Sequence, residues 1–488
     1  MPFIGYNERV LLTVDIGTTL FKSAVWDFQG GRKAFSSVPL AISLNDGPRH
    51  EADSGQWLRA FEECCAALSG QNAGGAAPLS SVEAVVISGN GPSLTPVFDG
   101  PAPDSGGDFR LPAAPARLWL DRRAEEAAKR VSALSGGFVD ASFFLPKALD
   151  IMLNEPGLYE KTKYFLGCPE FLACALTGVA RTVFPSDGFE RWFWNDSVLE
   201  SLRLDREKFP PFVRPGETFG PLLPRTAARF GLKPGIPVIS GGPDFFASIL
   251  GSGAVKPGQA CDRAGTSEGI NACTENPVSD SRLMSYSHPV KPFWNLSGVV
   301  STTGKAAEWG RDLLGLESYD DFYSLAGKAQ AGAGGLVFLP YLAGERAPVW
   351  DPSARGALRG LGLSTGRPEF ARSVLEGICF AIRDIIGIME EAGAAVAELR
   401  VCGAASGSDL LNRVKADITG KPVLVPPQKE AELLGLAIIG ACALGACGSF
   451  AEAAARLVRV EKTFLPEREN AALYDDLFGK YGKMKKER

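Results

Sequence analysis

Residues able to do chemistry gather at a few strand-to-turn junctions. Asp15-Ile16-Gly17-Thr18-Thr19 follows a β-branched run, Gly265-Thr266-Ser267 closes a second, and Gly403-Ala404-Ala405-Ser406-Gly407-Ser408 follows a third. Turns of this composition present backbone N–H groups and hydroxyls to an anion. One such turn is ordinary turn chemistry. Three of them, in two strand-rich halves, suggest a phosphate chain held between two related lobes. A further aspartate, Asp244, ends the strand-like Ile236–Ile239 segment after Ser240-Gly241-Gly242-Pro243. Only two histidines, His50 and His288, are present among 488 residues. Multi-histidine metal sites are thereby nearly excluded, and acid–base work falls to carboxylates. Both histidines read as surface or loop residues.

Other chemistries fail on spacing. Gly298–Ala306 has five residues before Gly304-Lys305, where a P-loop has four, and Ala306 stands where Ser or Thr must bind Mg²⁺. Gly251-Ser252-Gly253 has Lys256 where a dinucleotide fingerprint needs glycine. Gly265-Thr266-Ser267-Glu268-Gly269 fits a nucleophile elbow, but His288 follows too soon for the intervening acid and its strands.

The elements that must position these residues are legible in outline. Val10–Val14 and Ser23–Asp27 form an opening β-hairpin, Gln56–Leu68 a helix, and Val82–Ile87 a strand ending at Ser88-Gly89-Asn90-Gly91. Pro101–Pro115 reads as a surface excursion, and helices dominate from Arg122 to Gly178. The second half begins near Ala260; Phe370–Met389 carries a long helical apolar stripe, and Leu399–Cys402 is a strand. Leu433–Cys447, uncharged and rich in Gly and Ala, is too short for a membrane span and reads as a buried helix. A net charge of −5 gives no footprint for nucleic acid, and the basic C-terminal cluster of Lys480, Lys483, Lys485, Lys486 and Arg488 reads as a solvated helix end. Met1–Arg9 is polar and Val10–Val14 is too short for an h-region, so no signal peptide is expected, and ten cysteines without a CxxC pair suit free thiols in a reducing compartment. The sequence therefore reads as a soluble cytoplasmic protein with no membrane or nucleic-acid partner.

Taken in order, several motifs resemble the FGGY family of sugar kinases, in the sugar kinase/actin/heat-shock ATPase fold. They are Val14–Thr19; Trp119-Leu120-Asp121-Arg122-Arg123-Ala124; Pro146-Lys147; Glu155-Pro156; Leu176-Thr177-Gly178; and Gly242-Pro243-Asp244 with Gly251 and Gly253. Later come Phe338–Pro348, Trp350-Asp351-Pro352, Ala354-Arg355-Gly356, Glu376-Gly377 and Cys402-Gly403-Ala404. The resemblance implies an α/β protein of two actin-like (ribonuclease H-like) domains with a central cleft. Residues 8–256 would be the sugar- and phosphate-binding lobe and 257–488 the nucleotide-binding lobe. It implies a phosphotransferase moving the γ-phosphate of ATP, with Mg²⁺, to a hydroxyl of a ketose or polyol, the lobes closing on the sugar.

The resemblance assigns Asp244 as general base, where the residues alone also allow a helix-capping aspartate. It places Asp15 at the metal; Gly17, Thr18, Thr19 and Lys22 at the phosphates from one half; and Gly265, Thr266 and Ser267 from the other. Lys22 reads equally as a solvated hairpin charge. Gly304, Glu308, Gly403, Ala404 and Ser408 fall on the nucleotide side, with Ala404 departing from the family's glycine. Asn90, Gly91, Asp121, Arg123, Asp244 and Phe245 fall on the substrate side, and Asp121 and Arg123 read either as sugar contacts or as a buried pair. Glu345-Arg346 and Glu376 read as structural ion pairs. Asp15 and Asp244 are expected to face each other across a gap between the halves.

The resemblance is xylulokinase-like overall with the natural sugar left open, and a homodimer is an assembly it allows. Xylulokinases usually carry Gln-Met-His-Gly where this chain has Asn90-Gly91-Pro92-Ser93, and Asn where it has Phe245; the Phe245-Phe246 pair reads as a flatter, less polar subsite or as packing behind Asp244. The Arg-Glu and Gln contacts of glycerol kinases are missing. An actin-like or chaperone-like ATPase is the competing reading, since a fold does not dictate a function.

Overall fold

The computed structural model describes residues 9–71, 79–100, 113–351 and 353–487, so most of the proposed 101–115 excursion lies outside the described residues. The chain forms two compact units, Met1–Gly251 with Glu432–Leu457, and Ser252–Ala431 with Val458–Arg488.

The first unit is built on a six-stranded sheet. Its strands are β1 (Val10–Ile16), β2 (Leu20–Asp27), β3 (Arg32–Pro39), β4 (Val82–Gly89), β5 (Thr218–Pro221) and β6 (Pro237–Pro243), in the order β5-β6-β4-β1-β2-β3. The expected hairpin is β1–β2, with Asp15 opposite Lys22. β1, β4 and β6 run parallel. Parallel central strands are covered on both faces, which is why Val10–Ile16 is buried throughout rather than alternating. Helix α1 (Gly55–Gly70) buries Trp57, Phe61, Cys64 and Leu68, and helix α2 (Cys168–Thr177) is buried along its whole length.

The second unit carries a seven-stranded sheet from β7 (Gln259–Ala264), β8 (Glu268–Thr274), β9 (Met284–Ser287), β10 (Trp294–Val300), β11 (Glu398–Cys402), β12 (Val423–Val425) and β13 (Lys462–Phe464), in the order β9-β10-β8-β7-β11-β12-β13. β7, β8 and β10 are antiparallel neighbours, while β11 and β12 run parallel to β7. The first sheet shows the same succession: an antiparallel set on one side of β1, parallel strands on the other, and an antiparallel edge strand. The two halves are thus related in topology, and the turns after β1 and after β7 are counterparts.

Helix α3 (Asp244–Ser252) follows β6 directly, and helix α4 (Gly304–Leu313) follows β10. The long apolar stripe forms helix α5 (Arg367–Glu391), begun by Pro368 and by Glu369, which accepts from the Gly366 N–H at 2.9 Å. Helix α6 (Asp409–Thr419) follows β11, capped by Ser408.

The Gly/Ala-rich segment is a helix, α7 (Ala431–Ala443), followed by α8 (Phe450–Leu457). Glu432–Leu457 belongs with the first unit, although a division at residue 257 puts it in the second. Packing explains the placement: a Cβ on Gly435 would meet the Ala247 carbonyl of α3, one on Gly440 would meet Val86 and Leu11, and Leu436 fills the space over Gly241. No helix of the described residues is long and apolar enough to cross a membrane.

Candidate active site

Strand β1 delivers Asp15 one residue before its end, 3% exposed, with Oδ2 3.4 Å from Lys22 Nζ. The turn beyond is closed by Gly17 N–H donating to the Leu20 carbonyl, where a side chain at Gly17 would collide with that oxygen. Thr18 is half-buried and its Oγ1 accepts from Trp119 Nε1 at 2.9 Å; Thr19 is exposed. Lys22 is no solvated hairpin charge. It is partly buried, and its Nζ contacts Glu432 at the start of α7 as well as Asp15.

Asp244 opens α3 at the end of β6, half-buried, its Oδ1 accepting from Phe245 N–H at 2.7 Å. Both aspartates therefore sit in the first unit, at the carboxyl edge of one sheet, rather than on opposite halves. β4 lies between them: Asp15 pairs with Ser88, Pro243 pairs with Gly89, and Ser88 Oγ donates to the Gly242 carbonyl at 2.9 Å. Two strand spacings place β1 and β6 about 10 Å apart. Such an edge is where open α/β sheets bind ligands. Cys168 lies among these groups with its Sγ 3.1 Å from the Asn90 carbonyl; burial pushes its thiol pKa well up, and Glu170, Asp15 and Asp244 add to the effect.

The substrate-side residues divide. Asn90 is buried, and its Nδ2 and backbone N–H both donate to the Ile16 carbonyl, tying the end of β4 to the end of β1. Gly91 is exposed beside it. Phe245 is half-buried and stacked on Phe189 at 6.0 Å, whereas Phe246 is core, edge-on to Phe450. Asp121 is fully buried and bound by Arg123, which also pairs with Glu51 at 2.6 Å. Burial alone would raise the Asp121 pKa, but the Arg123 fork and the His50 N–H hold it below the usual carboxylate range. The buried-pair alternative describes these two residues. Lys147, fully buried, gathers the Pro92, Arg117 and Leu118 carbonyls, and so ties the loop after β4 to the segment that carries Trp119.

In the second unit, Gly265, Thr266 and Ser267 form the β7–β8 turn, with Thr266 exposed. The turn rests on the start of α4: Gly304 N–H donates to the Gly265 carbonyl at 3.1 Å, and a Cβ on Gly304 would lie 2.3 Å from that oxygen. Below it, Lys415 of α6 joins Asp262 and Glu268, one from each flanking strand, all buried. Glu308 pairs with Lys305 at 2.9 Å and lines a cavity of about 350 Å³ with Trp309, Asp312 and Leu313. Gly403 has φ 86° and would bring a Cβ within 2.5 Å of the Ala264 carbonyl, so only glycine fits. Ala404 is exposed in the turn that follows, and Ser408 Oγ accepts from Leu411 N–H as the α6 cap.

Two further readings change and a third holds. His288 is buried rather than superficial, its Nε2 3.0 Å from the Ala254 carbonyl and its Nδ1 accepting from Val290 N–H; burial lowers its pKa to about 4. Glu345 accepts from the Ser301 and Arg346 backbone N–H groups instead of pairing with the Arg346 side chain, because its carboxylate is turned into the β10 terminus. Glu376 does pair with Arg372, at 2.8 Å, and with Tyr474. Cys168, Trp119, Phe189 and Glu432 also stand beside these groups, beyond the residues that the motifs assign to the site. Trp119 could have been found from its motif; Glu432 had no local signal.

Two α/β units related in topology, each with a Gly- and hydroxyl-containing turn after its first central strand, and two carboxylates at one edge of the first sheet are an arrangement suited to phosphoryl transfer. Residues 10–251 match the N-terminal domain, and residues 263–444 the C-terminal domain, of the FGGY family of carbohydrate kinases. The chain belongs to that family and is an ATP-dependent carbohydrate kinase, a phosphotransferase with an alcohol group as acceptor. It is 28% identical to the xylulose kinase of Escherichia coli (strain K12) over 423 residues, 84% of each protein. It is 25% identical to the gluconokinase of Bacillus licheniformis, over 96% of this chain and 94% of that one. A crystal structure of ligand-bound xylulose kinase from Lactobacillus acidophilus superposes with a TM-score of 0.85 at 23% identity, covering 98% of each chain, which is a likeness of fold.

Proposed function

We propose that the acceptor is a neutral ketose or polyol, bound at the carboxyl edge of the first sheet, and that Asp244 is the general base. The observation that supports this most is the shared edge: Asp15 and Asp244 end parallel strands of one sheet on either side of β4. The acceptor oxygen would bond to the γ-phosphorus as the bond to the bridging oxygen of ATP breaks, ADP departs, and the hydroxyl proton passes to an Asp244 carboxylate oxygen. Gly17, Thr18 and Thr19 would meet the phosphates from the first unit, and Gly265, Thr266 and Ser267 from the second.

Relatives named xylulose kinase and gluconokinase bracket the acceptor class. A gluconate carboxylate needs a cation. Arg123 is already engaged by Asp121 and Glu51, and Arg117 by Asp150 and Glu155, which favours a neutral sugar. Phe245 stacked on Phe189 offers a flat apolar face to the C–H side of such a substrate.

Among the described residues no group of three or more His, Cys, Asp or Glu could hold a metal ion, so an all-protein cage does not fit. A single buried carboxylate, Asp15, does fit Mg²⁺ arriving on a nucleotide, because that ion keeps waters and phosphate oxygens as its other ligands. When bound, it neutralises charge on the β- and γ-phosphates. We place the protein in the cytoplasm, in keeping with ten free cysteines.

The test is ATP consumption measured across pentuloses, hexuloses, aldonates and polyols. A ketose or polyol should raise turnover far above the sugar-free rate. Turnover independent of any sugar, or confined to aldonates, refutes the proposal. Asp244→Asn should keep ATP affinity and lose roughly 10²–10⁴ in kcat; a near-normal rate removes Asp244 as the base.

A further inference from the structure

Lys22 stands between two carboxylates that the sequence holds far apart. Asp15 is its cross-strand partner in the β1–β2 hairpin, so their side chains project from neighbouring positions of one sheet face. Glu432 comes from the first turn of α7, where the chain returns from the second compact unit to the first. The lysine Nζ is in close contact with Glu432 and 3.4 Å from Asp15. The three side chains are largely withdrawn from water, at 19% exposed for Lys22, 5% for Asp15 and 11% for Glu432. In such surroundings charges act on one another with much less screening than at a surface.

A lysine held by Asp15 alone would close on that carboxylate and compete with any cation approaching it. With Glu432 taking the nearer share of the ammonium, the trio carries a net charge of −1, and Asp15 retains attraction for a divalent ion. We propose that Glu432 is a positioning residue for the kinase reaction: it draws Lys22 off Asp15 and so maintains the affinity of the site for the Mg²⁺ complex of ATP. This rests on the reading of Asp15 as the metal-side carboxylate.

The test compares wild type with Glu432→Gln, Glu432→Asp and Asp15→Asn in the full-length protein. ATP binding is measured by calorimetry over a Mg²⁺ titration, beside kcat and both KM values. Thermal melting of the ligand-free protein checks folding. Glu432→Gln should raise the Mg²⁺ concentration needed for half-maximal ATP binding about tenfold, equivalent to about 1.4 kcal/mol. The sugar KM should stay unchanged, and Glu432→Asp should restore most of the loss. In a Lys22→Met background, Glu432→Gln should produce a clearly smaller shift, because most of its effect acts through the lysine.

An unshifted Mg²⁺ midpoint in Glu432→Gln, while Asp15→Asn shifts it, overturns the role of Glu432 alone. An unshifted midpoint in Asp15→Asn overturns the metal reading beneath it. An equal loss in the Lys22→Met background also overturns the proposal, since Glu432 would then act without the lysine. If Glu432→Gln melts far below wild type, the comparison is made with Lys22→Met, which removes the ammonium 3.4 Å from Asp15 and should lower the Mg²⁺ midpoint; an unchanged midpoint there counts against the proposal.

Discussion

Gly435→Ala probes how tightly the proposed Asp244 edge is held by a helix far from it in sequence. Gly435 lies on α7 against α3, and a Cβ there would sit 1.8 Å from the Ala247 carbonyl oxygen, whereas real Cβ atoms stay beyond 3.0 Å. The obstacle is backbone, so no rotamer relieves it, and the two helices must separate by about 1.2 Å. Alanine is favoured over glycine in a helix by about 1 kcal/mol, but overpacking a filled interior costs about 1–3 kcal/mol. Net stability should therefore fall by up to about 2 kcal/mol. The functional effect should be larger than the structural one. Asp244 opens the same helix one turn before Ala247, and a displacement near 1 Å at a reacting group can cost about 10²-fold in rate. The assay is kcat from ADP release at saturating ATP and sugar, with urea unfolding alongside. Gly387→Ala is the control, on α5 where no atom lies within 4 Å; it should keep normal kcat and gain about 0.5–1 kcal/mol. Normal kcat in Gly435→Ala would refute the coupling between this contact and Asp244, as would an equal loss in Gly387→Ala.

Thr266→Val, nearly isosteric at an exposed turn position, should raise the Kd for ATP roughly five- to tenfold through the lost hydroxyl, with sugar affinity unchanged; the reverse pattern in paired titrations would misplace the turn. Gly403→Ala should cost about 1–3 kcal/mol in strain and weaken ATP binding at least tenfold, because both its φ of 86° and the Ala264 carbonyl oppose a side chain; calorimetry showing wild-type affinity would count against it. His288 is neutral when folded, with a pKa lowered to about 4, and protonates near 6.5 when unfolded. The unfolded chain binds the extra proton, so this contribution is present above pH 6.5 and is lost as pH falls towards 4, by about 3 kcal/mol. His288→Gln should remove that part of the slope in urea unfolding measured from pH 7 to 4, and an unchanged slope would show that other groups cause it.

Local pattern carried much of the architecture. Alternating and continuous apolar runs marked β1, β2, β4 and β11, the periodic stripe marked α5, and the glycine and hydroxyl residues marked the turns after β1, β7 and β11, since each depends on neighbours within a few residues. The scarcity of histidine already pointed to carboxylate chemistry. Only the tertiary structure decided which distant groups meet. Asp15 and Asp244 came to one sheet edge because β6 pairs beside β4, a register set by long-range hydrogen bonding. Helix α7 is apolar on nearly every side, so its sequence announced burial but not its partner; backbone contact with α3 through Gly435 selected the first unit and brought Glu432 to Lys22 across 410 positions. The same holds for His288, read as a surface or loop residue, and Glu345, read as half of an ion pair with Arg346: the Ala254 carbonyl and the Ser301 N–H that meet them are delivered by distant segments. Periodicity records which face of an element leaves water, whereas what that face meets depends on topology.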